Sequence, residues 1–363
     1  ANLNSVHTIK WVKALSEKGI ELILFCLTNY DKNKNNKINN IKIYSTNNKN
    51  KIHKSENKFK KLKFIFALPM LKKIIKTEKP DIIHAHYASS YGFICSLTGF
   101  KPLIVSVWGS DIYTFPKTSF LAKKIIKFTL KKATRIFSTS NDMAKETNLY
   151  TTKNIDITPF GIDVSSFKKS NKKSLFKPDD IVIGTIKNLE PVAGIDILIK
   201  TFYKLKQSQL KYPIKLLIVG DGSQKENLIT LCEKLNIYDD VIFTGSVNYS
   251  QINNYLNEID IYVAPSLAES FGVAVLEASA CELPVVVTNV GGLPEVVIHE
   301  QTGFIVEKSN INQMYEAIYK LINDKNLRIH LGKNGKAFIE KQYPWHDNVN
   351  KVINIYNELL NNK

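Results

Sequence analysis

The stretch that most constrains this chain runs from residue 260 to residue 306, "DIYVAPSLAESFGVAVLEASACELPVVVTNVGGLPEVVIHEQTGFIV". A short apolar run ends at Pro265, a loop follows over residues 266–270, a helical pattern runs from Phe271 to Ala280, and a second apolar run covers residues 284–288. Strand, loop, helix and strand in that order are the parts of a βαβ unit, whose strands lie parallel in one sheet. Such sheets bind ligands at the carboxyl ends of their strands. The loop after the first run is therefore where chemistry is expected.

Two carboxylates frame that loop and helix, Glu269 and Glu277. Helical side chains lean toward the helix N-terminus, so Glu277 is expected to point back toward the loop. Ser270, Phe271, Gly272 and Val273 form the helix start, where backbone N–H groups and the positive dipole end make a seat for a phosphate. At about 1.5 Å of rise per residue, Glu277 lies roughly 9 Å along the axis from that seat. This spacing lets the two carboxylates meet opposite ends of a ligand whose phosphates lie between them.

At these residues the chain resembles glycosyltransferase family 4, retaining enzymes of the GT-B fold that use nucleotide-sugar donors. The family pattern, E-x-F-G-x-x-x-x-E, stands complete as "ESFGVAVLE", and "GGLPEVV" and "TGFIV" match the segments that follow it. The resemblance implies that Glu269 contacts hydroxyls of the transferred sugar and Glu277 the ribose of the nucleotide. It also implies a cation after the first strand of the donor domain, a place filled by Lys187. A second family cation just before a glycine is not met, because Val192 and Ala193 precede Gly194. Lys225, after the glycine turn of "VGDGSQKEN", is a further candidate for the phosphates. Gly245 and Val247, in "VIFTGSV", stand where the family's backbone meets the base.

The resemblance extends to the amino-terminal half. "PDIIHAHY" is a family segment with an active-site-lining or structural histidine, here His84 or His86. Alternating histidines with no third ligand do not make a metal pair. Where family members often carry a histidine beside the transferred sugar, this chain has Trp108, Gly109, Ser110 and Asp111, and an indole cannot act as a base. Ahead of the first strand pattern, "IELILFCL", stands a helical pattern, "SVHTIKWVKALSEKG". The strand and glycine loop that family members carry before that helix are not seen, so the first strand of this domain is expected to be missing.

A chain of 363 residues with 44% hydrophobic content is too long for one typical domain. The expected architecture is α/β: two Rossmann-like domains with parallel sheets facing each other across a cleft. Expected bounds are 1–165 for the acceptor side, 166–343 for the donor side, and 344–363 for a helix crossing back to the first domain. The segment "KFKKLKFIFALPMLKKIIKTEK" reads as helical with a break near Pro69, either lying on a membrane surface or forming an ordinary surface helix. Cys26, Cys95, Cys232 and Cys281 form no CxxC pair and read as buried free thiols.

The net charge of +17 sits wholly in the first half, where residues 1–165 carry 28 Lys and Arg against 11 Asp and Glu. Lys123, Lys127 and Lys131 form one line at helical spacing, and like charges so placed repel unless an anion relieves them. Such a field attracts phosphates of lipids or lipid diphosphates, or reflects a lysine- and asparagine-rich composition alone. No apolar run approaches eighteen residues and no signal peptide is seen.

The expected activity is retaining transfer of a sugar from a nucleotide diphosphate sugar, UDP before GDP. The acceptor is a hydroxyl of a glycan or lipid-diphosphate-linked acceptor in bacterial cell-surface polysaccharide synthesis, with no cofactor and no obligatory metal. The expected place is the cytoplasm, against the inner membrane face. The rivals are a non-catalytic protein binding a nucleotide sugar or an anionic polymer, and a sugar-nucleotide epimerase on the same fold. Nucleic acid is not expected as a partner, because no recognisable binding module is present.

Overall fold

The computed structural model describes residues 1–3, 5–27, 41–46, 63–169 and 175–361. Its strands are β1 (Leu22–Cys26), β2 (Ile41–Ser45), β3 (Ile83–His86), β4 (Leu103–Val107), β5 (Arg135–Ser138), β6 (Ile155–Ile157), β7 (Ile181–Ile186), β8 (Ile214–Val219), β9 (Val241–Gly245), β10 (Ile261–Ala264), β11 (Val285–Thr288) and β12 (Gly303–Val306). Helices of eight residues or more are α1 (Val6–Glu17), α2 (Leu68–Glu78), α3 (Phe120–Lys132), α4 (Asn141–Asn148), α5 (Ile195–Lys206), α6 (Lys225–Lys234), α7 (Val273–Ala280), α8 (Ile311–Asn323), α9 (Lys325–Gln342) and α10 (Trp345–Asn361). The chain divides into two units, one of residues Ala1–Phe160 with His346–Lys363, the other of Gly161–Trp345.

The second unit is a six-stranded, all-parallel sheet in the order β12-β11-β10-β7-β8-β9. Numbered from β7, this is the 3-2-1-4-5-6 order of a doubly wound sheet, and the order reverses between β7 and β10. The central strands are buried along their length because helices cover both faces, so they read as near-continuous apolar runs, "IVIGTI", "IKLLIV" and "VVVT". One face is filled by Leu198, Phe202 and Leu205 of α5 together with Met314, Ile318 and Leu321 of α8.

The first unit repeats the scheme with a division. Strands β3-β4-β5-β6 form one parallel sheet and β1-β2 another. Read as one doubly wound order, the position between β1 and β3 holds no strand among the described residues. A cavity of about 110 Å³ lies there, lined by Ile23 and Phe25 from one side and Ile83 and Ala85 from the other. Among the described residues, that gap is the place in the sheet where the strand expected to be missing would stand.

Two expected boundaries move. Pro69 does not break a helix: a 3-10 turn over Lys63–Ala67 leads into α2, and Pro69 stands in its first turn, where its missing N–H costs nothing. The residues of that segment before Lys63 lie outside the described ones. Helix α7 starts at Val273 rather than Phe271, because Gly272 adopts φ 104° and Phe271 belongs to the loop. The line Lys123, Lys127, Lys131 falls on one exposed helix, α3, whose start is capped by the Ser119 hydroxyl accepting from the Ala122 N–H at 3.1 Å.

Candidate functional site

In the second unit the loops leaving β8, β7, β10 and β11 lie side by side in the order of their strands, and each rests its backbone on the next. The Gln224 N–H donates to the Leu189 carbonyl at 2.9 Å, the Leu267 N–H to the Val192 carbonyl at 2.8 Å, and the Gly292 N–H to the Glu269 carbonyl at 3.2 Å. At both ends the approach is too close for a side chain. A Cβ on Gly220 would lie 1.9 Å from the Lys187 carbonyl oxygen, and one on Gly291 would lie 1.7 Å from that of Glu269. Val192, which lacks a family cation, thus contributes its carbonyl to the frame while its side chain stays half exposed.

Lys187 follows β7 and Glu269 follows β10, the two strands between which the sheet order reverses. Their ammonium and carboxylate groups form a direct ion pair, both mostly buried. Burial pushes the Glu269 carboxyl up; the Lys187 charge and the N–H groups of Ser270 and Phe271 outweigh it and hold the carboxyl below its ordinary value. The Ser270 N–H reaches the Glu269 Oε1 at 3.0 Å. This is the position at which doubly wound sheets bind ligands.

Helix α7 begins beside this pair. No side chain caps its N-terminus, so Gly272 and Val273 present the dipole end to the loop. Phe271 has another role: its ring is 1% exposed and packs edge-to-face on Tyr343 at 5.4 Å, anchoring the loop from below. Glu277 is 5% exposed, and the Tyr249 hydroxyl donates to its Oε1 at 2.9 Å. Tyr249 has no counterpart in the motif that revealed Glu277, since its partner lies 28 residues away. Lys225 opens α6, and its Nζ lies 3.9 Å from where a side chain on Gly245 would begin; Val247 stands two residues past β9. The structure thus brings Lys187, Glu269 and Ser270 into contact, and Lys225 close to Gly245.

The first-unit candidates sort differently. Asp111 is 1% exposed and accepts from the N–H groups of Ala88, Trp108 and Gly109 at 2.8, 3.2 and 2.9 Å, so it staples the turn after β4 to the segment after β3. His84 is held between the Tyr356 and Ser106 hydroxyls at 2.6 Å each, and burial drops its ring to about 3. It is a neutral structural link between β3, β4 and α10. His86 lies against Trp108 with ring centroids 4.3 Å apart; burial holds it well below its ordinary value. Tyr87 and Phe160 also meet Trp108 edge-on, and His7 stacks on Phe160 at 4.4 Å. Trp108 therefore centres an aromatic cluster at the carboxyl ends of β3 and β4.

Comparison with known proteins agrees with both halves. The description "Glycosyl transferases group 1" matches residues 166–338, and "Glycosyl transferase 4-like" matches residues 1–140. An uncharacterized glycosyltransferase of Methanocaldococcus jannaschii is 28% identical over 360 residues, covering 98% of this chain and 94% of its own. The capsular polysaccharide biosynthesis glycosyltransferase CapM of Staphylococcus aureus is 29% identical over 299 residues, covering 78% of each. The solved structure of Anabaena HepE in complex with UDP and glucose superposes with a TM-score of 0.80 at 18% identity, over 97% of this chain and 95% of that one. With glycosyltransferase descriptions on both halves, relatives of that name along nearly the whole length, and a shared two-unit α/β architecture, the chain is a glycosyltransferase of the GT-B fold.

Proposed function

We propose that the protein transfers a sugar, with retention of configuration, from a nucleotide diphosphate sugar to a hydroxyl of a glycan or lipid-linked acceptor. The observation that carries this reading is the Lys187–Glu269 pair at the reversal point of the second sheet, beside the uncapped start of α7. The ammonium and the α7 N–H groups receive the diphosphate as negative charge develops on it, which is electrostatic stabilisation of a leaving group by fixed donors. Lys225 adds to that charge. Glu269 contacts hydroxyls of the transferred sugar, and Glu277, steadied by the Tyr249 hydroxyl, takes the ribose. Gly245 and Val247 border the base. No step is assigned to a metal.

UDP-sugars are the preferred donors, a choice supported by the UDP and glucose named with the Anabaena neighbour. A role in bacterial surface polysaccharide synthesis is supported by the name of CapM. Acceptor recognition belongs to the first unit, where the buried ring cluster around Trp108 fixes the segments that leave β3 and β4. No helix among the described residues is long and apolar enough to cross a membrane. The excess of basic residues over 1–165 supports peripheral attachment to the cytoplasmic leaflet.

A thermal-shift panel of UDP, GDP and their sugars tests the donor, because a ligand of the folded state raises apparent stability. UDP-sugars are expected to give the largest shift, and free UDP to be released only when acceptor is supplied, with product anomers matching the donor. Acceptor-independent release, or conversion of one sugar nucleotide into its epimer, would replace transfer with a binding or epimerase reading. Tyr249→Phe is expected to weaken UDP binding about fivefold, on the order of 1 kcal/mol for one hydrogen bond, as read by calorimetry. Unchanged affinity would separate Tyr249 from the nucleotide site.

A further inference from the structure

Helix α3 has two faces. Ala122, Ile126, Thr129 and Leu130 are buried against the core of the first unit. The opposite face is unlike an ordinary solvated surface. It carries five exposed lysines, Lys123, Lys124, Lys127, Lys131 and Lys132, and not one acidic residue occurs from Ile112 to Asn141. Among those lysines stand Phe120, 74% exposed, and Leu121, 54% exposed. A phenyl and an isobutyl group held in water at a helix start lack the burial that normally rewards such side chains.

The aromatic and basic groups are interleaved. The Lys124 Nζ lies 4.6 Å from the centre of the Phe120 ring, and the Lys132 Nζ lies 5.7 Å from that of Phe128. Phe128 meets Phe93 edge-on at 6.1 Å, on the short helix Phe93–Ser96. The turn Lys63–Ala67 packs on that same helix and carries Phe66, 84% exposed. At 1.5 Å per residue, α3 alone presents a strip about 20 Å long.

We infer that the outer face of α3 is the surface by which this protein docks on an anionic phospholipid leaflet, with Phe120 and Leu121 entering the acyl boundary and the lysines meeting the headgroups. Long lysine stems extend from an apolar layer to a charged one, and rings set among them sit at the boundary between the two. Other occupants fit less well. A second copy of the same face would set five lysines against five, and a nucleic acid gives a buried leucine no partner. The assignment gives the peripheral attachment proposed above a specific surface, and it stands apart from the donor site, which lies in the other unit.

Vesicle flotation tests it, using the full chain with phosphatidylcholine vesicles and with vesicles containing about 30% phosphatidylglycerol. Wild-type protein is expected to float with the anionic vesicles and not with the neutral ones. Phe120→Ser with Leu121→Ser should lower that affinity about tenfold or more, and Lys123→Glu with Lys127→Glu similarly. In Phe120→Trp, acyl-brominated lipid should quench fluorescence beyond that of the native tryptophans. Equal binding to neutral vesicles, no binding to anionic ones, or full binding by the Phe120/Leu121 variant would overturn the proposal. So would a lipid-free dimer that the same variant dissolves. UDP thermal shifts run on every variant keep the two readings apart: flotation lost with the shift intact concerns only this surface, and a shift absent in the wild type concerns only the donor.

Discussion

Lys187→Ala is expected to leave a folded protein whose turnover falls on the order of a hundred- to a thousand-fold, the scale for losing one fixed donor to a developing oxyanion. Donor affinity should fall less than turnover, because the ammonium interacts most strongly once the diphosphate carries the full leaving charge. Steady-state kinetics with a UDP-sugar separates the two. A variant within a factor of two of wild type would place the diphosphate elsewhere. The substitution also moves an acid transition. In the wild type the Glu269 carboxyl is held below the ordinary value of 4.5, so its stabilising share is present above that pH and is lost as the pH falls through the lower folded value. Without the ammonium, burial prevails and pushes the carboxyl up. The variant should therefore be the less stable at neutral pH and regain stability as the pH falls through the raised folded value, a slope opposite to that of the wild type, as melting temperature against pH will show.

Gly291→Ala is expected to be as damaging for activity and more so for stability. The position has φ 54°, and a methyl group would lie 1.7 Å from the Glu269 carbonyl oxygen, which is backbone and cannot rotate away. Either the turn after β11 or the loop that carries Glu269 must move. A loss of about 3 kcal/mol or more is expected, with turnover reduced at least about a hundredfold. Gly99→Ala is the control, because Gly99 shares the left-handed backbone, at φ 75°, with nothing within 4 Å of a new methyl. It should cost only about 1–2 kcal/mol. Equal melting temperatures for the two variants would mean that the close approach at Gly291 is relieved without consequence.

How much of this was readable beforehand depends on how local each feature is. Glu269 and Glu277 could be found because a loop and one helix fix both, eight residues apart. The Lys187–Glu269 pair could not, since the partners are 82 residues apart and meet only through the strand order. Tyr249 was invisible for the same reason. Asp111 was expected at the acceptor side, yet its lone pairs are engaged by backbone N–H groups, which residue type alone does not reveal. Val192 looked like a lost function because side chains are what patterns record, and its part in the frame is played by a carbonyl. The basic line on α3 was legible from spacing. The exposure of Phe120 and Leu121 was not, because an apolar pair at a helix start reads as core.

The backbone stack across the carboxyl edge of the second sheet constrains how donor preference can be altered. A loop grafted alone from a relative would arrive with its own carbonyl positions and meet neighbours shaped for different ones. Residues 187–194, 220–224, 265–272 and 289–293 therefore form one heritable cassette, although they are scattered over a hundred positions of the chain. Chimaeras that exchange all four segments together should fold and carry the donor's choice of sugar. Single-loop exchanges should accumulate as insoluble protein.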